Sequence, residues 1–127
     1  MNNNSTIPDR AQAFVIYGEP ASKANSRKAV LIGGKPRFIK SKKALDYAED
    51  FQRQIRQYLN LQLLKGQVVV HIKIWYASRR PDLDESLILD LLQGHVYEND
   101  RQVKEKHIFW GLDKSNPRSE INVWTIS

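Results

Sequence analysis

Asp82 and Asp84 stand one residue apart in the stretch RPDLDESLILDLLQGHVYEND, and Asp100 closes it. Side chains at i and i+2 of an extended segment point the same way, so two carboxylates at that spacing can meet one hard cation. A short helix between Asp84 and Asp100 would let the chain double back and bring the third carboxylate toward the pair. Mg²⁺ takes oxygen ligands and keeps only one or two protein carboxylates, with waters and phosphate oxygens completing its shell. Mn²⁺ suits the same donors. Residues 81–100 contain six acids, Asp82, Asp84, Glu85, Asp90, Glu98 and Asp100, and no Lys or Arg. Carboxylates crowded without a counterion repel, so they either sit apart or share a cation. Plain structural duties also fit these residue types. Asp84 can cap a helix, Glu85 can sit in a favourable first turn, Asp90 can lie on the surface, and Glu98-Asn99-Asp100 can be turn chemistry.

The rest of the chain is basic. Its 127 residues carry 20 Lys and Arg against 14 Asp and Glu, a formal net charge of +6. Outside 81–100 the balance is 20 bases to 8 acids, or +12. A body of that sign suits an anionic polymer, nucleic acid above all, although a merely soluble basic surface has the same composition. The densest run is KANSRKAVLIGGKPRFIKSKK (23–43), which holds Lys23, Arg27, Lys28, Lys35, Arg37, Lys40, Lys42 and Lys43 and no acid. A phosphate-holding surface around carboxylate-bound Mg²⁺ is the layout of a metal-dependent nuclease. The metal would polarise the scissile phosphate and lower the pKa of an attacking water. A nearby Lys or Arg would steady the developing charge.

The elements that must position these groups follow from pattern. AFVIYG (13–18) is a first strand, closed by the turn-like GEPAS. Gly33-Gly34 between AVLI and PRFI predicts a hairpin with basic flanks. Ser41 is a helix N-cap, and Ala44, Leu45, Ala48, Phe51, Ile55 and Leu59 recur at helical spacing to about residue 61. GQVVVHIKIWYAS is a strand with Val68, Val70, Ile72, Ile74 and Tyr76 on one face. Val69, His71, Lys73 and Trp75 make a mixed, partly exposed second face, with His71 structural. SRRPD breaks it. Leu87, Ile88, Leu91 and Leu92 give a short helix that Gly94 stops. QVKEKHIFWG (102–111) and SEINVWTI (119–126) are two further strands around a turn at Asp113–Pro117. Such an order, without strict βαβ alternation, predicts an α+β fold: a single small domain, a mixed β-sheet with two main helices on one face.

Length fits one domain, expected over 13–127 after a flexible N-terminal tail at 1–12. No apolar run approaches the roughly 20 residues that cross a bilayer, and MNNNSTIPDR lacks the apolar stretch of a signal peptide. Without cysteine there is neither disulfide nor thiolate metal site, which fits a cytoplasmic protein.

The sequence resembles the RusA-like Holliday junction resolvases of phages and prophages. The pieces that carry the resemblance are DLDE at 82–85, ILDLLQG at 88–94, VYENDRQV at 96–103 and the early YGEPASKANSRK. The resemblance implies a small homodimer that nicks two strands of a four-way DNA junction symmetrically with Mg²⁺, in a bacterial or phage-infected cell. It places the catalytic, metal-holding acids on Asp82, Asp84 and Asp100. Expected DNA contacts are Lys23, Arg27, Lys28, Lys35, Arg37, Arg79, Arg80, Arg101, Lys104 and Lys106. Two positions depart from the family pattern. Glu85 stands where the family often has Asn, and Ile88 stands where it often has a catalytic lysine. Arg101, Lys104, Lys106, Arg79 and Arg80 are the bases that could take over that task.

Other readings compete. Without the lysine, the protein could bind branched DNA and cut weakly or not at all. A restriction-type nuclease pairs a PD with a later (D/E)-x-K; Pro81-Asp82 supplies the first half and nothing downstream supplies the second. An RNA-binding role would suit the charge but leave the acidic stretch without a task.

Overall fold

The computed structural model describes residues 7–22 and 27–126. The elements are β1 (Gln12–Tyr17), β2 (Arg27–Ile32), β3 (Lys35–Lys40), α1 (Lys42–Ile55), β4 (Val68–Tyr76), α2 (Ser86–Leu91), β5 (Val103–Leu112) and β6 (Arg118–Thr125), with a 3₁₀ turn at Asp100–Gln102. β1, β6, β4 and β5 form one sheet in that order. β4 pairs with β5 in parallel and with β6 antiparallel, so the sheet is mixed, as the α+β expectation requires. A parallel pair cannot be closed by a tight turn and needs a long crossover. Residues 77–102 are that crossover, and every acid of the 81–100 stretch rides on it.

β4 runs through the centre of the core. Val68, Val70, Ile72, Ile74 and Tyr76 on one face are 0–1% exposed. α1 adds Ala44, Tyr47, Phe51 and Ile55, and α2 with the following residues adds Leu87, Ile88, Leu91, Leu92, Val96 and Tyr97. Ser41 caps α1 as expected, its hydroxyl oxygen accepting from Ala44 N at 3.2 Å. The helix stops at Ile55, however, short of residue 61. Gln57 N and Tyr58 N bond to carbonyls three residues back. The Tyr58 hydroxyl then meets β1, accepting from Val15 N at 3.1 Å and donating to Val15 O at 3.0 Å. Leu59 thereby leaves the expected stripe at 89% exposed, Leu45 also lies outside, and Tyr47 fills the inner position.

The second face of β4 is more buried than its mixed polarity predicts. Val69 and His71 are buried. His71 packs against the rings of Phe109 and His107, at centroid distances of 5.0 and 6.1 Å. The Trp75 ring lies flat over Gly111, where a Cβ would stand 2.6 Å from it. Lys73 Nζ and the Arg118 guanidinium carbon lie 4.2 and 4.7 Å from the same ring's centroid.

β2 and β3 form a separate two-stranded sheet. Gly33 and Gly34 make its turn with φ of +59° and +79°, the positive pair that a type I′ hairpin demands. At the other end of the chain order, β1 begins at Gln12, and Arg10 donates to Thr125 O at 2.9 Å. No helix among the described residues is long and apolar enough to cross a membrane.

Candidate active site

The crossover leaves β4 at Tyr76 and enters α2 at Ser86, and Asp82 and Asp84 lie between. Two side chains from elsewhere fix its start. Glu19 Oε1 accepts from Ala77 N at 2.9 Å, and the Tyr76 hydroxyl accepts from Asp84 N at 3.2 Å. Asp84 Oδ1 then accepts from both Ser86 N at 2.9 Å and Ser86 Oγ at 2.6 Å. Asp84 therefore opens α2, although Glu85 occupies the cap position and makes no side-chain cap bond. Burial pushes the Tyr76 hydroxyl above its ordinary pKa. The Asp84 amide partly offsets this, and the charges of Asp84, Glu19 and Glu85 add to it. Three carboxylates thus act on one hydroxyl. Asp82 is exposed on the same segment.

Asp100 is held from the other side of α2. Its backbone N donates to Gln93 Oε1 at 2.9 Å. Gln93 Nε2 in turn donates to Asp90 Oδ1 at 3.1 Å and to Asp90 O at 3.2 Å. Asn99 and Gln102 close a reciprocal capping box around the 3₁₀ turn that presents Asp100. The Gln102 amide reaches further, donating to Leu64 O and Gly66 O at 2.9 Å each. Burial raises the Tyr97 hydroxyl pKa, with Asp100 and Asp90 adding to the effect. The acids therefore fall into two neighbourhoods, Glu19, Asp84 and Glu85 about Tyr76, and Asp90 and Asp100 about Tyr97.

Among the described residues no three His, Asp or Glu side chains gather closely enough to hold an ion by themselves. The donor chemistry still suits Mg²⁺. It is all carboxylate oxygen, and Mg²⁺ needs one or two such ligands where phosphate oxygens and waters supply the rest.

The bases beside the acids are Lys104 and Lys106 on β5, Arg101 on the 3₁₀ turn, and the exposed Arg79 and Arg80. Lys106 Nζ lies 2.7 Å from Glu85 Oε2. A depression of about 230 Å³ is lined by Leu89, Asp100, Val103, Lys104, Glu105 and Lys106, so Lys106 joins Glu85 on one side to Asp100 on the other. The larger depression, about 610 Å³ between α1 and β1, is lined by no residue of this stretch. Of these two, the smaller sets an acid of the stretch, Asp100, beside Lys104 and Lys106. Arg27, Lys28, Lys35 and Arg37 lie on the exposed hairpin, apart from the main sheet. Lys23 lies outside the described residues.

The sequence also matches a known family. The match is to Endodeoxyribonuclease RusA and covers residues 18–124. The chain belongs to the RusA family. RusA enzymes are endonucleases that resolve Holliday junctions. No curated protein matches the sequence.

The RusA pattern acquires physical meaning here. In LQG the glutamine tethers Asp100 to Asp90, and in END-RQV the Asn and Gln build the turn that displays Asp100. Ile88, where the resemblance places the family's lysine, is 0% exposed and packs in the core. Sequence reasoning overlooked Gln93, Asn99, Gln102, Tyr76 and Glu19 as positioning residues. Asn99-x-x-Gln102 did carry a capping-box signal. Glu19 carried none, since its partner Ala77 is 58 residues away.

Proposed function

We propose that this protein is a Mg²⁺-dependent, structure-selective endonuclease that resolves four-way DNA junctions in recombination and repair. Asp82, Asp84 and Asp100 are the acids that would hold the metal, with phosphate oxygens and waters completing its shell, and Mn²⁺ would serve in its place. One observation carries the reading: the match to the RusA family, over residues 18–124, takes in the crossover on which the fold anchors Asp84 and Asp100. A bound metal would supply Lewis-acid chemistry there, polarising the scissile phosphate and making an attacking water more acidic. The chain's own part is to fix the carboxylates. Asp84 is turned by Ser86 and Tyr76, and Asp100 is turned by Gln93 and the Asn99–Gln102 box. Lys106, steered by Glu85, takes the task of the absent lysine and steadies charge on the phosphate oxygens. Two such sites related by a two-fold axis, in a homodimer, suit a junction of near two-fold symmetry.

The test is cleavage of an end-labelled synthetic four-way junction with Mg²⁺, wild type beside Asp84→Asn. Asparagine keeps an Oδ1 for Ser86, so the start of α2 survives while the charge is lost. Symmetric nicks from wild type alone, with junction binding kept in both, are expected. Junction, flap and duplex left intact by wild type under Mg²⁺ and Mn²⁺ would overturn the activity and leave a branched-DNA-binding protein. Lys106→Ala should bind the junction normally and cut roughly 10²-fold more slowly. An unchanged single-turnover rate would remove Lys106 from the mechanism.

A further inference from the structure

The β2–β3 hairpin has two unlike faces. Residues opposite one another in an antiparallel pair share a side of the sheet. Ala29 faces Phe38 and Leu31 faces Pro36, so these four make an apolar patch toward the turn, with the Arg27–Lys40 pair closing the same face at its base. On the other side Lys28 faces Ile39, Val30 faces Arg37 and Ile32 faces Lys35, so each step sets a base beside an aliphatic side chain. Leu31 and Phe38 are each 76% exposed. A lone two-stranded hairpin is marginal in water, and exposed apolar patches ringed by polar groups mark contact surfaces.

Charge selects the occupant. The two strands carry Arg27, Lys28, Lys35, Arg37 and Lys40 and no acid. Stacking the hairpin on that of a second copy would oppose like charges, whereas DNA complements them. We propose that the hairpin is a branch-reading arm whose basic face lies along phosphates while Phe38 stacks on, and Leu31 packs against, bases exposed at the branch point. The inference rests on the reading of the protein as a junction nuclease and names the surface that tells a branch from a duplex. In a continuous duplex each base is stacked on its neighbours. At a branch that stacking is interrupted, and an aromatic side chain can replace it. Phosphate contacts cannot make this distinction, because every DNA offers them.

The test reads binding of the full chain in EDTA, so that nothing is cut. The probes are a fluorescein-labelled four-way junction, a linear duplex of the same sequence, and a junction with 2-aminopurine at the branch. The proteins are wild type, the double variant L31S/F38S and the double variant K35A/R37A. Wild type should prefer the junction and dim the 2-aminopurine as Phe38 stacks on that base. L31S/F38S should lose on the order of tenfold in junction affinity. It should keep its duplex affinity, sedimentation and melting temperature, and it should abolish the dimming. K35A/R37A should weaken both DNAs alike. Equal loss on junction and duplex in L31S/F38S, or dimming that survives it, would overturn the arm as a branch reader. A dimer that falls apart in L31S/F38S would also overturn it and assign the face to a second copy. A wild type that binds junction no better than duplex would instead remove the junction-nuclease reading beneath it.

Discussion

The acidic crossover and the basic hairpin are held by the fold in opposite ways. Each acid-bearing turn of the crossover is braced from outside itself, by Tyr76 on Asp84, by Gln93 on Asp100, and by Gln102 on Leu64 and Gly66. Beneath it lie Ile88, Leu92, Val96 and Tyr97, all fully buried. The hairpin strands pair only with each other, and all their residues except Val30 are exposed. The difference matches two physical demands. A group that meets a reacting phosphate loses about 10²-fold in rate for a misplacement of ~1 Å. A grip on the DNA backbone needs reach and charge, and it gains from adapting to a partner of variable shape.

The sharpest way to break this contrast is to loosen the crossover while leaving every carboxylate in place. Gln93→Leu keeps the side chain's bulk and removes the tether between Asp90 and Asp100. Cleavage should fall roughly 10²-fold with junction affinity unchanged, and stability should fall by about 1–2 kcal/mol for the lost hydrogen bonds. Single-turnover rates and urea unfolding measure the two separately. A full-rate variant would mean that the Asn99–Gln102 box alone places Asp100.

How far the sequence foretold each region depends on the range of the forces involved. The hairpin was legible because its signal is local: two glycines between apolar runs leave the backbone one turn type. The same holds for Ser41 and for the Ala44, Phe51 and Ile55 positions of α1, where the helical period points inward. The Asp82–Asp84 spacing was legible as a possible ligand pair. What positions it was not, because parallel pairing of β4 with β5 turns residues 77–102 into a crossover, and nothing local specifies that pairing. Lys106 reaches Glu85 across 21 residues of sequence. The early end of α1 was hidden for the same reason, since Tyr58 leaves the helical path to bond β1, 43 residues back.

A smaller effect should come from the hairpin, and it should spare what the crossover variant damages. Lys35→Ala with Arg37→Ala removes two charges from exposed strands. Binding to any DNA should weaken together, and the slope of log affinity against log salt should shrink by about 2. The melting temperature should match wild type, because neither side chain touches the core. An unchanged salt slope would take the hairpin out of the DNA grip and leave Arg79, Arg80, Arg101 and Lys104 to supply it.

The smallest effect concerns alkaline pH, and it too should divide the molecule. Tyr76 and Tyr97 belong to the crossover and its root, and burial raises the pKa of both hydroxyls above the ordinary value of 10.0, with neighbouring carboxylates adding to it. β2 and β3 contain no tyrosine. A raised pKa means that the folded chain keeps a proton which the unfolded chain gives up. That contribution to stability is complete below about pH 10 and is lost as pH climbs from there through the folded value. Stability should thus stay level to about pH 10 and then decline, each such tyrosine adding at most about 1.4 kcal/mol per pH unit. Tyr97→Phe should lower stability at neutral pH by about 1 kcal/mol, through the lost bond to Leu89 O, and should make the alkaline decline shallower. Urea midpoints on either side of pH 10 measure both changes. If the decline is as steep in the variant as in wild type, Tyr97 is not the titrating group. The remaining candidates are Tyr76 and, on the inner face of α1, Tyr47, whose hydroxyl is raised by burial more than by any charge; a decline that also survives Tyr76→Phe points to Tyr47. Alkaline unfolding would then begin in the core rather than at the acidic edge.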